Sequence, residues 1–383
     1  MWKILKTWKR LVPEKSLTDE AARDLDEAGW QLFDRLTTVE LSAEESLRVV
    51  RPDRTAPEAE RFLAVHWHPE SAPLDLIQKR LSAALPRAHD FLAIPTPHNQ
   101  VVVFGPYAGV EADVYAREYG QKIHLLIHFS AERLPRAGVF LDMVDRTYRY
   151  RARQLRELLD FLAGPGLDDI SGPSLKGAGP EVRGLARFCA LRLREFIDQS
   201  GLVGTPRDGM LKNRLLPDFM TALFGSDLRL SLALEVVRAA KKKVKAAFKP
   251  ENFYTPRELI EEARALGAGV VIPHPPVCWP VLVDDLDVDG WEVWNPSTPH
   301  HAAFLTRALA RANEARRRRR LLAFMADDTH LSRKYRPEPG REWGEGGEIG
   351  FQDPWFDPAL SRLLSETGQS LAGTLNEYRA RLG

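Results

Sequence analysis

The histidines and acids of this 383-residue chain fall at recurring places. His66 and His68 follow Phe62-Leu63-Ala64-Val65, and His98 comes shortly after Phe91-Leu92-Ala93-Ile94. His274 follows Val270-Val271-Ile272-Pro273, while Asp328 and His330 follow Leu321-Leu322-Ala323-Phe324-Met325. Each group lies just past a short apolar run that reads as a buried strand. Glu111 and His124 lie in two further runs, 110–114 and 123–129. Alternate residues of an extended strand face the same way, so His66-Trp67-His68 and Asp328-Thr329-His330 each present two donors to one side. Neutral imidazoles with a few carboxylates suit Zn, Mn or Fe. Eight such groups exceed the needs of one ion, so two or three ions in one cleft are implied. That is equipment for metal-assisted hydrolysis, in which ions make water acidic near neutral pH and clamp an in-line displacement.

Positioning those donors requires strands whose ends converge. Period-two and continuous apolar patterns predict strands at 62–65, 91–94, 101–104, 110–114, 123–129, 269–273, 291–294 and 321–325. Helices are predicted at 141–162, 181–199, 210–224, 228–248 and 300–320. Another opens at Thr255-Pro256-Arg257-Glu258, which supplies an N-cap, a proline at the first helical position and a capping-box Glu, and it ends at Gly267. Ser16-Leu17-Thr18-Asp19 resembles a capping box ahead of Leu25, Ala28, Leu32 and Leu36 at helical spacing. Strand–helix alternation at both ends of the chain predicts a mostly parallel sheet or barrel, with the donors gathered at the C-terminal ends of its strands. The expected division is an N-terminal helical extension (1–60), a metal-binding barrel (61–130 and 255–340), a helical insertion (131–254) and a C-terminal extension (341–383).

The ordered motifs resemble those of the polymerase and histidinol phosphatase (PHP) superfamily. Val65-His66-Trp67-His68 resembles its opening H-x-H, and Ala93-Ile94-Pro95-Thr96-Pro97-His98-Asn99 resembles the strand ending in T-D-H-N. Gly109-Val110-Glu111 is similar to G-x-E, His124-Leu125-Leu126 to H-x-L, and Ile272-Pro273-His274-Pro275 to A-H-P. Glu292-Val293-Trp294-Asn295 is similar to E-V-x-N, and Asp328-Thr329-His330 to the closing D-x-H. The resemblance covers about 61–130 and 255–335. It implies a distorted (β/α)7 TIM-like barrel and a two- or three-metal site that hydrolyses phosphate esters. The implied ligands are His66, His68, His98, Glu111, His124, His274, Asp328 and His330, with His66, His68 and Asp328 as the catalytic core. Two positions depart from the pattern: Pro73 stands where an acidic residue is usual, and Pro97 replaces the Asp of T-D-H. Glu70 or Asp75 could substitute for the first.

Composition narrows the function. Lys+Arg 54 against Asp+Glu 53 gives a net charge of +1, which disfavours a protein built chiefly to hold nucleic acid. Two cysteines, Cys189 and Cys278, cannot build a disulfide framework or a cysteine-based zinc site. With no apolar run of roughly 18–20 residues, the expectation is a cytoplasmic enzyme. Residues 1–12, with Trp2, Ile4, Leu5, Trp8 and Leu11 among Lys3, Lys6, Lys9 and Arg10, could form a docking helix or touch a membrane surface peripherally. Arg333, Lys334 and Arg336, just past the D-x-H element, are candidates to hold a substrate phosphate, as are Arg207, Lys212 and Arg214 in the insertion. Asp285–Gly290 mimics the start of a calcium loop, but Pro296 occupies its twelfth position, so it reads as a connector. Arg316–Arg320 and Lys241–Lys243 read as solvated helix surface, and His128 is left without a role. The expected activity is hydrolysis of a small phosphorylated substrate with two or three divalent ions (Mn, Zn or Fe). The alternatives are a nuclease or phosphodiesterase acting on nucleic-acid ends, or a non-catalytic metal-binding protein of the same fold.

Overall fold

The computed structural model of the chain describes residues 19–116, 119–172, 175–225, 228–247, 253–316, 319–336, 347–352, 361–362, 364–365 and 368–383. The basic amphipathic segment 1–12, most of the Ser16–Asp19 capping box and the middle of the arginine run lie outside the described residues. Among the described residues no helix is long and apolar enough to cross a membrane. The chain divides into two compact units. One takes residues up to Glu40 together with Arg149–Lys249; the other takes Leu41–Tyr148 and most of the chain from Pro250 to the C-terminus. The division falls at Tyr148/Arg149 and within the expected N-terminal extension at Glu40/Leu41.

The helical unit is built from Asp19–Thr37, the latter part of Gly138–Ala163, Pro180–Ser200, Leu215–Phe224 and Leu228–Ala246. Apolar residues at i, i+3, i+4 and i+7 give each helix one buried stripe. Leu155, Leu159, Leu162, Leu193, Phe196, Phe219, Met220 and Val236 meet in one core. Trp30 of the first helix packs on Phe196 with ring centroids 4.6 Å apart. The helix Pro180–Ser200 stops at Gly201, which takes the left-handed conformation (φ +63°) that glycine adopts without steric cost.

The second unit carries ten strands: β1 Arg61–Ala64, β2 Trp67–His68, β3 Asp90–Ala93, β4 Val102–Phe104, β5 Tyr107–Ala116, β6 Gln121–Ser130, β7 Gly269–Ile272, β8 Gly290–Trp294, β9 Leu322–Met325 and β10 Thr329–His330. Six form one sheet in the order β4-β5-β6-β7-β8-β9; β1 pairs with β3, and β10 with β2. All eight expected strands are present, within a few residues of the expected bounds. Their directions are mixed: β4-β5, β5-β6 and β6-β7 pair antiparallel, whereas β7-β8, β8-β9, β1-β3 and β2-β10 pair parallel. Connection length explains the β4-β5 and β5-β6 pairs, since a parallel crossover needs a dozen or more residues. Phe104 and Tyr107 are separated by Gly105-Pro106 alone, and Gly105 at φ +59° supplies the positive φ of a two-residue hairpin.

The expected (β/α)7 barrel is not shown: among the described residues this is a mixed α/β unit in which no sheet closes into a barrel. The β1-β3 ladder stops at Ala93, where Pro95 and Pro97 lack the N–H groups that a ladder requires. Beyond that point the described residues show single links. Asn99 N–H donates to Glu111 O (2.8 Å), Glu111 N–H to Pro97 O (3.1 Å), and Asp328 N–H to His66 O (3.0 Å). One face of the strands packs on helices around Val110, Leu125, Val270, Val293 and Leu309. The other gathers Leu63, Val65, Leu92, Ile94, Leu126, Val271 and Phe324 around Leu375, Tyr378 and Leu382. The final helix, Leu371–Leu382, is therefore a core element rather than an appendage. Arg381 fixes it by bonding the carboxylate of Asp289 (3.0 Å), which Arg264 also holds (2.6 Å). This accounts for the third acid of the calcium-like segment as a structural anchor.

Gly109 lets β5 approach the end of β3, because a Cβ there would lie 2.4 Å from Pro95 O and 2.6 Å from Ile94 Cγ2. Gly109→Ala is expected to cost about 1–3 kcal/mol, read as a lower denaturation midpoint. An unchanged midpoint would mean that the two segments can separate freely.

Candidate metal centre

Glu111 sits at the middle of the site, on β5, with 1% of its side chain exposed. Its two oxygens face different donors. Oε2 lies 2.9 Å from His98 Nδ1, 3.5 Å from His68 Nε2 and 3.9 Å from His66 Nε2. Oε1 contacts His124 Nδ1 and lies 3.4 Å from His274 Nε2. Asp328 Oδ1 lies 3.5 Å from both His66 Nε2 and His68 Nε2, and 3.6 Å from His330 Nε2. The structure thus brings together all eight residues that the sequence singled out. Four overlapping triads have donor atoms within 4.8 Å of one another: His66-His68-Glu111, Glu111-His124-His274, His98-Asp113-His124 and His68-His98-His330. These groups could hold metal ions. The floor, His66, His68 and Glu111, is sealed, whereas His98, His124, His274, His330 and Asp328 remain 16–25% exposed and form an open rim.

Three carboxylates outside this set fix the imidazoles. Glu292 Oε1 takes His66 Nδ1 at 2.5 Å, Glu70 Oε1 takes His330 Nδ1 at 2.8 Å, and Asp113 Oδ1 lies 3.1 Å from His124 Nε2. Each acid lies within hydrogen-bond reach of one ring nitrogen, so the other nitrogen faces Glu111 or Asp328 and is the one that would donate to a cation. Asp113 is held in turn by the Asn99 amide (2.9 Å) and Lys122 Nζ (2.8 Å). Strand alternation accounts for its place, since Asp113 follows Glu111 by two residues and pairs across the hairpin with His124. The same rule that marks H-x-H and D-x-H, applied to Glu111-Ala112-Asp113, would have found it. Glu292 stood in a recognised motif without a role. Of the two acids considered as substitutes at Pro73, Glu70 reaches the site, whereas Asp75 is exposed in the first turn of the helix Leu74–Ala84.

Fit to a cation rests on the donors themselves. Among the described residues, His66 Nε2, both ring nitrogens of His68 and Glu111 Oε2 are buried with no hydrogen-bond partner. Buried polar atoms in that state cost free energy unless something else satisfies them. The His68 ring is stacked between His330 (centroids 4.1 Å, 11°) and His98 (4.7 Å, 21°). Burial, reinforced by the charges of His330 and His98, pushes His68 down to about 3, so the ring is neutral. Burial opposes charge on His98 too, but Glu111 and Asp113 overcome it and raise that ring to about 9. Glu111 and Asp328 are held well below the usual carboxylate range, because neighbouring imidazoles outweigh their burial. A bound cation would therefore compete with protons for the same nitrogens.

The cations named from sequence have separate fates. Lys334 is buried against Asp53 (Nζ–Oδ2 2.6 Å) and Arg336 pairs with Glu45 (2.5 Å), so both are committed to carboxylates away from the donor cluster. No ion pair holds Arg333 among the described residues. Arg207 bonds Asp34 and Thr37, and Arg214 bonds Asp218, within the helical unit. His128, on β6 four residues past His124, bonds Tyr378 Oη (2.6 Å) and Val65 O (2.9 Å) and is fully buried, which makes it structural.

No family model matches the chain, and no curated protein matches it. Among solved structures, a Bifidobacterium adolescentis protein proposed to be a metal-dependent phosphoesterase is similar to it. The identity is 15%, and the TM-score is 0.42 over 83% of this chain and 100% of that chain.

His128 supplies a test of this packing. Burial pushes its pKa down to about 3, against about 6.5 in an unfolded chain. Between those values the unfolded state binds a proton that the folded state refuses, so stability is complete above about 6.5 and falls with pH below it, by roughly 1.4 kcal/mol per unit. Denaturant titrations at pH 7 and pH 5 should show His128→Gln losing roughly 2 kcal/mol less on acidification than the native chain. Equal losses would mean that His128 takes up a proton while folded.

Proposed function

We propose that the chain is a metal-dependent phosphoesterase of the PHP type, acting on a small phosphorylated substrate. The observation that carries the reading is Glu111: one buried carboxylate presents Oε2 to His66, His68 and His98, and Oε1 to His124 and His274. That is the disposition of a ligand bridging two ions. His66, His68, Glu111 and Asp328 would hold one, and Glu111, His124 and His274 the other; His98 and His330, beside His68, leave room for a third. Histidine and carboxylate together suit Mn, Zn or Fe.

Bound divalent ions would supply Lewis acidity to phosphoryl oxygens and make a water acidic near neutral pH. The rest falls to the chain. Glu292, Glu70 and Asp113 keep His66, His330 and His124 in fixed tautomers, so the donors need no rearrangement. The sealed floor excludes water from behind the donors, while the rim of His98, His124, His274, His330 and Asp328 leaves one side open to substrate. With Lys334 and Arg336 committed elsewhere, Arg333 is the side chain proposed to meet the phosphate, while Lys122 holds Asp113 at 2.8 Å. Lys122 is 36% exposed, two residues before His124 on the same strand face.

The test is metal content together with turnover. Protein saturated with Mn or Zn should hold at least two ions per chain by elemental analysis, and His68→Ala or Asp328→Ala should lower that number in a folded protein. Hydrolysis of an aryl phosphate should depend on added metal and vanish in Glu111→Gln. Native protein that stays metal-free under saturating Mn and Zn would refute the reading. Arg333→Ala should raise KM with kcat little changed if Arg333 holds the ground-state phosphate, and lower kcat as well if it acts on the transition state.

A further inference from the structure

Beneath the donors lies a second carboxylate in contact with both sets. We infer that Glu292 is a positioning residue shared by the two ion positions, so that one side chain sets the donor geometry of both. The inference rests on reading the site as a metal-dependent phosphoesterase.

Glu292 lies on β8, between β7, which leads into His274, and β9, which leads to Asp328. It is 1% exposed, and its oxygens are divided. Oε1 lies 2.5 Å from His66 Nδ1. Oε2 accepts the His274 backbone N–H at 2.7 Å and the Asn295 amide at 3.3 Å, and the same amide reaches Asp328 Oδ2 at 3.3 Å. His66 belongs with His68 and Glu111, while His274 belongs with Glu111 and His124. The other outer acids do not span this gap: Glu70 touches His330, and Asp113 touches His98 and His124.

The two contacts act differently. By accepting from Nδ1, Glu292 fixes the His66 tautomer and makes Nε2 the donor; the negative charge also strengthens that donor. At His274 it binds backbone, not ring. His274 has φ +30°, a conformation disfavoured for a residue with a Cβ. Its N–H bond to Glu292 holds the peptide in that conformation, and the peptide sets where the imidazole starts. Loss of the charge should therefore loosen a donor in each set at once.

The experiment is calorimetric titration of the full-length, metal-free protein with Zn(II), with Co(II) absorption as a spectroscopic check on coordination. Glu292→Gln keeps the size of the side chain and an acceptor oxygen but drops the charge. Both binding steps should weaken by about tenfold or more, the Co(II) bands should shift, and the circular dichroism of the metal-free protein should stay native. Glu70→Gln should weaken at most one step. Should Glu292→Gln fail to fold, Glu292→Asp, too short to reach both partners, should also weaken both steps. Either Glu292 variant leaving one step at native affinity would overturn the inference, as would Glu70→Gln weakening both. Native protein binding fewer than two ions would instead refute the phosphoesterase reading, a result separate from these.

Discussion

The burial of Glu111 constrains everything around it. A carboxylate sealed from water costs several kcal/mol unless charges or hydrogen bonds replace its hydration. Here the replacement is a ring of imidazoles, none of which shares a strand with it. His66 and His68 come from the β1–β2 segment, His98 from the chain after β3, His124 from β6 and His274 from the chain after β7. The carboxylate can be satisfied only if those ends meet, so the demand of one side chain becomes a demand on strand order. The bridge between His98 and Glu111, and the direct pairing of Asp113 with His124, are where that order is visible.

Packing supplies what the donors cannot. Glu111, Asp113, His124 and Lys122 share one face of the β5–β6 hairpin, and Val110, Ala112, Val114, Ile123 and Leu125 the other, buried against helices. A shift of one residue in register would put the acids into that apolar layer and the aliphatic side chains among the imidazoles. Hydrophobic burial thus fixes the register, and register fixes which oxygen of Glu111 meets which ring. The final helix works on the remaining layer. Tyr378 bonds His128 and packs edge-on to Phe324 (4.8 Å, 77°), tying the strand that carries His124 to the strand that leads to Asp328.

Much of this was legible in the sequence, because local rules governed it. Apolar runs ending in His or Asp marked the strands and the donors, and alternation paired His66 with His68 and Asp328 with His330. Strand direction was less legible: strand–helix alternation at both ends of the chain suggested parallel neighbours, whereas β4-β5 and β5-β6 are hairpins. Least legible were the outer acids and the paired cations. Glu70, Asp113 and Glu292 look like any other acid until distant segments place an imidazole beside them. Lys334 and Arg336 look like phosphate ligands until Asp53 and Glu45, nearly 300 residues away, occupy them. Long-range pairing of charge leaves no periodic trace.

Backbone strain bears on what the site is for. Among the described residues, four other than glycine have positive φ: Glu70 (53°), Asn99 (53°), His274 (30°) and Asp328 (47°). All four lie in or beside the donor cluster. Each such conformation costs about 1–3 kcal/mol and persists only where the surroundings over-determine it. They do: Asn99 bonds Glu111 O and Asp113, His274 N–H bonds Glu292, and Asp328 N–H bonds His66 O. Glycine would relieve the strain at every one of these positions but would remove the donor or the carboxylate that the cluster uses. Asparagine and aspartate tolerate the left-handed region through their short polar side chains, whereas glutamate and histidine have less to offset it. The chain therefore carries its least comfortable backbone at the places where a side chain with a lone pair is required. A fold selected for stability alone has no reason to keep that arrangement, whereas a cluster of donors that must be held in a preset geometry does.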